Sequence, residues 1–162
     1  MPLLSLHSPV GDLSVSEDDG AIVAVDWGWG SRQTETPLLS HVRELLQRYF
    51  DGDPVDFADV PLARSGITPY RRRVWDAMRS IPPGETRTYG DIARVAGGSP
   101  RAVGMASAAN PIPILIPCHR VVARSGPGGY SGPDGLTTKR FLLVLEARAY
   151  GTAVPLPHAH SA

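Results

Sequence analysis

The chain has 162 residues, 42% of them hydrophobic, with sixteen basic against sixteen acidic side chains and no net formal charge; this is the composition of a compact globular protein. No apolar run approaches the roughly 20 residues of a bilayer-spanning helix and no charged-then-apolar leader opens the chain, so a cytoplasmic protein without a membrane partner is expected. Its single cysteine excludes an internal disulfide, and the lack of Cys/His clusters at metal-ligand spacing argues against a structural zinc.

Charge is unevenly spread. Residues 1–65 hold four arginines and eleven acids, a balance of −7, whereas residues 66–162 hold eleven arginines and one lysine against five acids, a balance of +7. The second half is therefore the one suited to face a polyanion. Arg71, Arg72 and Arg73 are its densest cluster, and arginine is the side chain suited to bidentate phosphate contacts.

In chain order, residues 3–7, 11–17 and 21–27 read as three short strands divided by Ser-Pro and Asp-Asp-Gly turn signals. Thr36 then caps a helix with Pro37 in its first turn. Its apolar residues Leu38, Leu39, Val42, Leu45, Leu46, Tyr49 and Phe50 recur at helical period until Asp51-Gly52. Residues 51–66, rich in Asp and Pro, read as a connector. The domain division expected is thus 1–65, an α/β unit with connector; 66–150, a second domain; and 151–162, a loose tail.

The second domain opens with a helix at Thr68-Pro69 that carries Val74, Trp75 and Met78 on its core face and stops at Ile81-Pro-Pro-Gly84. Thr88 and Asp91 have capping-box spacing, predicting a short helix from Tyr89 to Val95 ended by Gly97-Gly98. Ser99 and Pro100 open another, which runs through Arg101 to Ala109 until Asn110-Pro111 forbids continuation. Two short helices joined by a glycine turn make a helix-turn-helix. After Arg101 the second helix offers only small side chains. It suits close approach in a minor groove about 6 Å wide better than base readout in the major groove.

Pro111-Ile-Pro-Ile-Leu-Ile-Pro117 then leads into Cys118-His119-Arg120-Val121. The prolines remove backbone donors and favour extended geometry, giving a rigid arm that presents Cys118 beside positive charge, the setting that favours a nucleophilic thiolate. In extended backbone Cys118 and His119 point to opposite sides, so a water is the expected link between them. A glycine-rich stretch from Ser125 to Gly135 reads as a loop forming a pocket wall. A last helix, Thr137 to about Arg148, carries Phe141, Leu142 and Leu145 on its apolar face with Glu146 beside it.

The Pro-Cys-His-Arg-Val run, its flanks from Thr68 to Glu146, and an echo in Ser8-Pro-Val-Gly-Asp-Leu13 resemble the O6-alkylguanine-DNA alkyltransferase (methylated-DNA–protein-cysteine methyltransferase) family. The resemblance implies a small ribonuclease-H-like α/β amino-terminal domain and a mostly helical, winged helix-turn-helix carboxy-terminal domain. It implies repair of double-stranded DNA containing O6-alkylguanine, or thymine O4 lesions. The alkyl group passes once and irreversibly to Cys118, with base flipping and without cofactor or metal. By the same resemblance Glu146 orients His119, Tyr89 donates to guanine N3, Asn110 braces the arm, and Arg101 replaces the flipped nucleotide. Tyr130, the Ser131 amide and the carbonyls of Cys118 and Val121 contact the base, while Ser99, Ala102 and Arg120 complete the DNA- or substrate-facing set. A monomer that can cluster along DNA is the expected assembly. Tyr70 stands where the family more usually has phenylalanine, and the loop after the cysteine is slightly short.

Two rivals from other classes are a winged-helix regulator and a cysteine hydrolase. The first has no need of Cys118 on a rigid arm, and the second has no need of a small-residue helix with Arg101. A non-catalytic alkyl-lesion binder would lack the nucleophile.

Overall fold

Strands β1 (Leu3–Leu6), β2 (Leu13–Asp18) and β3 (Ala21–Trp27) form an antiparallel meander in the order β1-β2-β3 in a computed structural model that describes residues 1–130 and 135–153. The β2–β3 turn places Asp19 at φ 51° and Gly20 at φ 78°, the left-handed pair a tight hairpin requires. Leu4, Leu6, Leu13 and Val15 are buried, and helix α1 (Pro37–Phe50) packs on β1 and β2. Ser5, Ser14 and Ser16 are buried too. The Ser5 and Ser14 hydroxyls are 2.8 Å apart, and Ser14 Oγ donates to the Gly28 carbonyl at 2.7 Å, so polar groups on that face are paired rather than stranded.

The Thr36 hydroxyl accepts from Leu39 N at 3.1 Å and also donates to Glu17, tying the start of α1 to the sheet. Leu39, Val42, Leu46 and Tyr49 form the buried stripe of α1. Tyr49 ends that stripe on the side of the second half of the chain. The expected connector is more ordered than its composition suggests. Ile22 N donates to the Pro61 carbonyl at 2.9 Å and Ala63 N to the Ile22 carbonyl at 2.8 Å, because β3 otherwise leaves an unpaired edge.

Helices α2 (Pro69–Arg79), α3 (Tyr89–Ala96), α4 (Pro100–Ala108) and α5 (Leu136–Tyr150) make up the rest, with the two-residue strands β4 (Arg87–Thr88) and β5 (Val121–Val122) pairing in parallel. Three of the four helix starts are chemically marked: Thr68, Thr88 and Ser99 are N-caps of α2, α3 and α4, and the reciprocal Thr88–Asp91 capping box is present. Gly97 and Gly98, at φ 91° and 75°, turn the chain between α3 and α4. Tyr70 explains its own departure from phenylalanine: its hydroxyl donates to the Gly97 carbonyl at 3.1 Å, and a Cβ on Gly98 would sit 2.7 Å from that hydroxyl oxygen. The helix-turn-helix turn is thereby pinned to α2.

Boundaries differ from the sequence reading by one or two residues, as helix fraying allows; α5 runs from Leu136 to Tyr150 rather than Thr137 to Arg148. One apolar core runs from Leu4 to Leu142 across both halves of the chain. Val25 N donates to the Pro111 carbonyl at 2.9 Å, which fastens the first sheet to the start of the cysteine arm. No helix among the described residues is long and apolar enough to cross a membrane. The expectation for the tail falls largely on residues 154–162, outside the described residues.

Candidate active site

Asn110 ends α4 and builds the arm. Its Nδ2 donates to the Ile116 carbonyl at 2.9 Å and its Oδ1 accepts from Ile112 N at 2.9 Å, while Ile116 N returns to the Ile112 carbonyl at 2.9 Å. The loop so closed holds Ile114 at φ 73°. A β-branched residue avoids that region unless its surroundings impose it. The side chains of Ile112, Ile114, Leu115 and Ile116 are buried, which supplies the constraint.

The extended geometry expected at Cys118 is corrected by the structure. Cys118–Arg120 form a single 3-10 turn, with Arg120 N donating to the Pro117 carbonyl at 3.0 Å and Val121 N to the Cys118 carbonyl. Pro117 has no N–H to continue a strand ladder, and a turn of three residues fans its side chains about 120° apart. Cys118 accordingly lines a cavity of about 240 Å³ with Tyr89, Gly104, Ser107, Ala108, Gly129 and Tyr130. His119 and Arg120 turn instead to α5.

There they meet Glu146. His119 Nε2 lies 2.6 Å from Glu146 Oε2, and Arg120 forks onto both oxygens, Nε to Oε1 at 2.8 Å and Nη2 to Oε2 at 2.9 Å. Burial alone pushes the Glu146 carboxyl up, but His119 and Arg120 overcome this and hold it well below the usual carboxylate range. Burial holds His119 below its ordinary value despite Glu146, so the imidazole is neutral. A carboxylate only accepts, so the ring hydrogen lies on Nε2 and Nδ1 carries the lone pair. Nδ1 is buried without a hydrogen-bond partner among the described residues.

Cys118 is 5% exposed. Burial raises its thiol above the ordinary value, opposed by hydrogen bonds from the Asn110 and Ser107 side chains and by the charge of Lys139. Tyr89, at the first position of α3, is half-buried beside it. Burial raises the phenol, while a backbone hydrogen bond from Gly129 works the other way. Tyr130 closes the cavity, its ring edge-on to Trp27 of β3 with centroids 6.2 Å apart.

Of the residues expected from sequence, Cys118, His119, Glu146, Tyr89, Asn110, Val121 and Tyr130 come together here. Ser99 caps α4 by accepting from Ala102 N at 3.1 Å. Arg101 is exposed at the same helix start, and Met105, 68% exposed, shares the open surface of α4. Ser131 lies outside the described residues. Arg120 is corrected: placed by expectation against DNA or substrate, it is 6% exposed. Besides Glu146 it donates to the Ile81 carbonyl at 2.8 Å, because a buried carboxylate needs a buried counter-charge. The Arg71–Arg73 cluster is exposed, with Arg72 and Arg73 also donating to the carbonyls of Ile67 and Ala96.

Sequence reasoning missed Lys139, Ser107, Trp27 and Tyr49. Lys139 is fully buried and donates to the carbonyls of Val121 at 2.6 Å and Gly129 at 3.0 Å. The available signal was that it is the only lysine among sixteen basic residues. Tyr49 donates to Glu146 at 2.7 Å from 97 residues away, and no local pattern announces that.

Residues 69–148 match the family model described as "6-O-methylguanine DNA methyltransferase, DNA binding domain", and residues 4–64 match its "ribonuclease-like domain". The chain is 41% identical over 152 residues to a methylated-DNA–protein-cysteine methyltransferase of Metallosphaera sedula, covering 93% of each. It is 40% identical to the constitutive enzyme of that name from Bacillus subtilis, over 89% of this chain and 94% of the relative. A DNA base-flipping protein of Thermus thermophilus is 44% identical over 115 residues, 70% of this chain and 77% of the relative. The crystal structure of Mycobacterium tuberculosis OGT in complex with DNA superposes with a TM-score of 0.76 at 34% identity, covering 94% and 95% of the two chains.

Proposed function

This chain belongs to the 6-O-methylguanine DNA methyltransferase family, and on that premise we propose that it repairs DNA by direct reversal, moving an alkyl group from guanine O6 to Cys118. The observation that carries this reading is the shared wall: Gly104, Ser107 and Ala108 of α4 line the same cavity as the thiol. A helix small enough to approach the minor groove therefore stands between the duplex and the nucleophile. A base extruded beside it would enter a cavity too small for a drug-sized ligand but suited to one aromatic ring.

The step balances without a cofactor. The Cys118 thiol proton passes through a water to His119 Nδ1, and Glu146 stabilises the imidazolium. Sγ attacks the alkyl carbon, the carbon–O6 bond breaks with its electron pair on the oxygen, and Tyr89 supplies a proton at N3. Guanine leaves and a thioether stays on Cys118. A thioether is a poor leaving group, so each molecule acts once.

Arg101 fills the space of the flipped nucleotide, Ser99 and Ala102 meet the backbone, and Tyr130 with the Ser131 amide and the Cys118 and Val121 carbonyls holds the base. Both carbonyls already accept a bond within the protein, and each keeps a second lone pair. We place the domain division at 1–65 and 66–150, and the protein acts in the cytoplasm as a monomer that clusters on DNA.

The test is intact mass after incubation with duplex DNA carrying O6-methylguanine. Gain of one methylene, at most stoichiometric and located on Cys118, is expected; the Cys118→Ala variant gains nothing. Binding of the lesion without an adduct would turn the reading to a non-catalytic lesion binder, and neither binding nor adduct would end it.

A further inference from the structure

Tyr49 belongs to the amino-terminal half, yet its hydroxyl reaches Glu146 Oε2, the oxygen that also holds His119. The phenol is buried and works only as a donor: burial first, then the charge of Glu146 and the bond itself, raise it well above its ordinary value. We propose that Tyr49 is a positioning residue for the alkyl-transfer base, fixing and partly neutralising the Glu146 carboxylate so that His119 stays neutral with Nδ1 free to accept a proton. The amino-terminal domain then does more than scaffold its neighbour. It supplies one donor to the catalytic relay.

The geometry favours a tuning role over simple packing. Oε2 accepts three donors, from Tyr49, His119 and Arg120, while Oε1 accepts one from Arg120. Each donor shares the carboxylate charge, and the one without charge or titration near neutrality is Tyr49. Without it, more of that charge falls on His119, and the imidazolium gains stability. The other groups facing this pair are Arg120 and Lys139, whose charges oppose protonation of His119, Tyr130 and Cys118 on the cavity side, and Tyr150 at the end of α5. None of them comes from the amino-terminal half.

Tyr49→Phe should fold normally. The ring keeps its contacts with Phe50 and Phe57, at centroid distances of 5.2 and 5.5 Å, and Glu146 keeps its other donors. In the variant, the His119 Hε1 resonance should begin to titrate about one pH unit higher, a tenfold change in the ratio of protonated to neutral ring. The acid limb of single-turnover transfer should move by the same amount, with lesion binding and melting temperature preserved. The proton titration does not depend on the alkyl-transfer reading, which the rate measurement shares, so the two can fail separately. An unchanged or lowered His119 midpoint overturns the proposal. So does a Tyr49→Phe variant that matches wild type in both readouts while Tyr49→Leu is slow and less stable, since that pattern is packing alone.

Discussion

Lys139 Nζ lies 2.6 Å from the Val121 carbonyl oxygen, and this contact ties α5 to the strand that leaves the nucleophile. A second bond, to the Gly129 carbonyl at 3.0 Å, ties it to the loop that closes the cavity. Lys139→Met keeps the length of the stem but leaves both acceptors unpaired. A loss of about 2 kcal/mol in urea unfolding is expected, together with slower transfer because the Gly129–Tyr130 wall is released. Unchanged stability would mean that the two carbonyls find other donors.

The same lysine makes a pH prediction. Burial lowers its value from 10.5 to about 8, with Cys118 acting in the opposite direction. Between those limits the unfolded chain holds a proton that the folded chain has released, so stability rises with pH across the window. The Cys118 thiol is raised and loses stability as pH climbs, so the two oppose each other. Four phenols, Tyr49, Tyr89, Tyr130 and Tyr150, are raised as well and also lose stability towards pH 10, so in a Cys118→Ala background the lysine is read as the difference from the same protein carrying Lys139→Met. The difference in unfolding free energy between the two should shift in favour of the lysine form by on the order of 2 kcal/mol from pH 8 to 10, and a difference that stays constant with pH would contradict a lowered lysine.

The Asn110 amide donates to the Ile116 carbonyl and accepts from Ile112 N, and its side chain also works to lower the raised Cys118 thiol. Asn110→Asp keeps the acceptor but puts a carboxylate where a donor met the thiolate. Transfer at pH 7 should slow at least about tenfold, or 1.4 kcal/mol, and the thiol should titrate higher when followed by thiolate absorbance. A normal thiol titration would show that the amide donor is not what holds the thiolate.

Two glycines near Tyr89 should behave oppositely. A Cβ on Gly128, at φ 74°, would lie 2.8 Å from the Tyr89 hydroxyl oxygen, whereas one on Gly104 would approach Tyr89 no closer than 4.0 Å. Gly128→Ala should therefore displace the phenol and slow transfer, while Gly104→Ala should leave the protein's melting temperature within a few degrees. Equal tolerance of both in single-turnover and melting assays would contradict this packing.

Arg101 is exposed at the start of α4. If it replaces the extruded nucleotide, Arg101→Ala should slow transfer from duplex DNA by about 10²-fold, roughly 2.7 kcal/mol, yet leave transfer from a free O6-alkylguanine base nearly unchanged. An equal loss on both substrates would assign it to the cavity instead.

The sequence alone determined the elements whose signals are local. Thr36, Thr68, Thr88 and Ser99 marked helix starts, Gly97-Gly98 marked the turn, and the proline-bracketed run marked the nucleophile, because caps, glycine turns and proline act over a few residues of backbone. Tertiary structure decided what those positions do. It converted the expected extended cysteine into a 3-10 turn, drew Arg120 inward to neutralise Glu146, and buried the single lysine under the loop. It also brought Tyr49 across the core to the Glu146 carboxylate. A buried charge must find its partners wherever the fold supplies them, and partners separated by 97 residues leave no periodicity for a sequence to display.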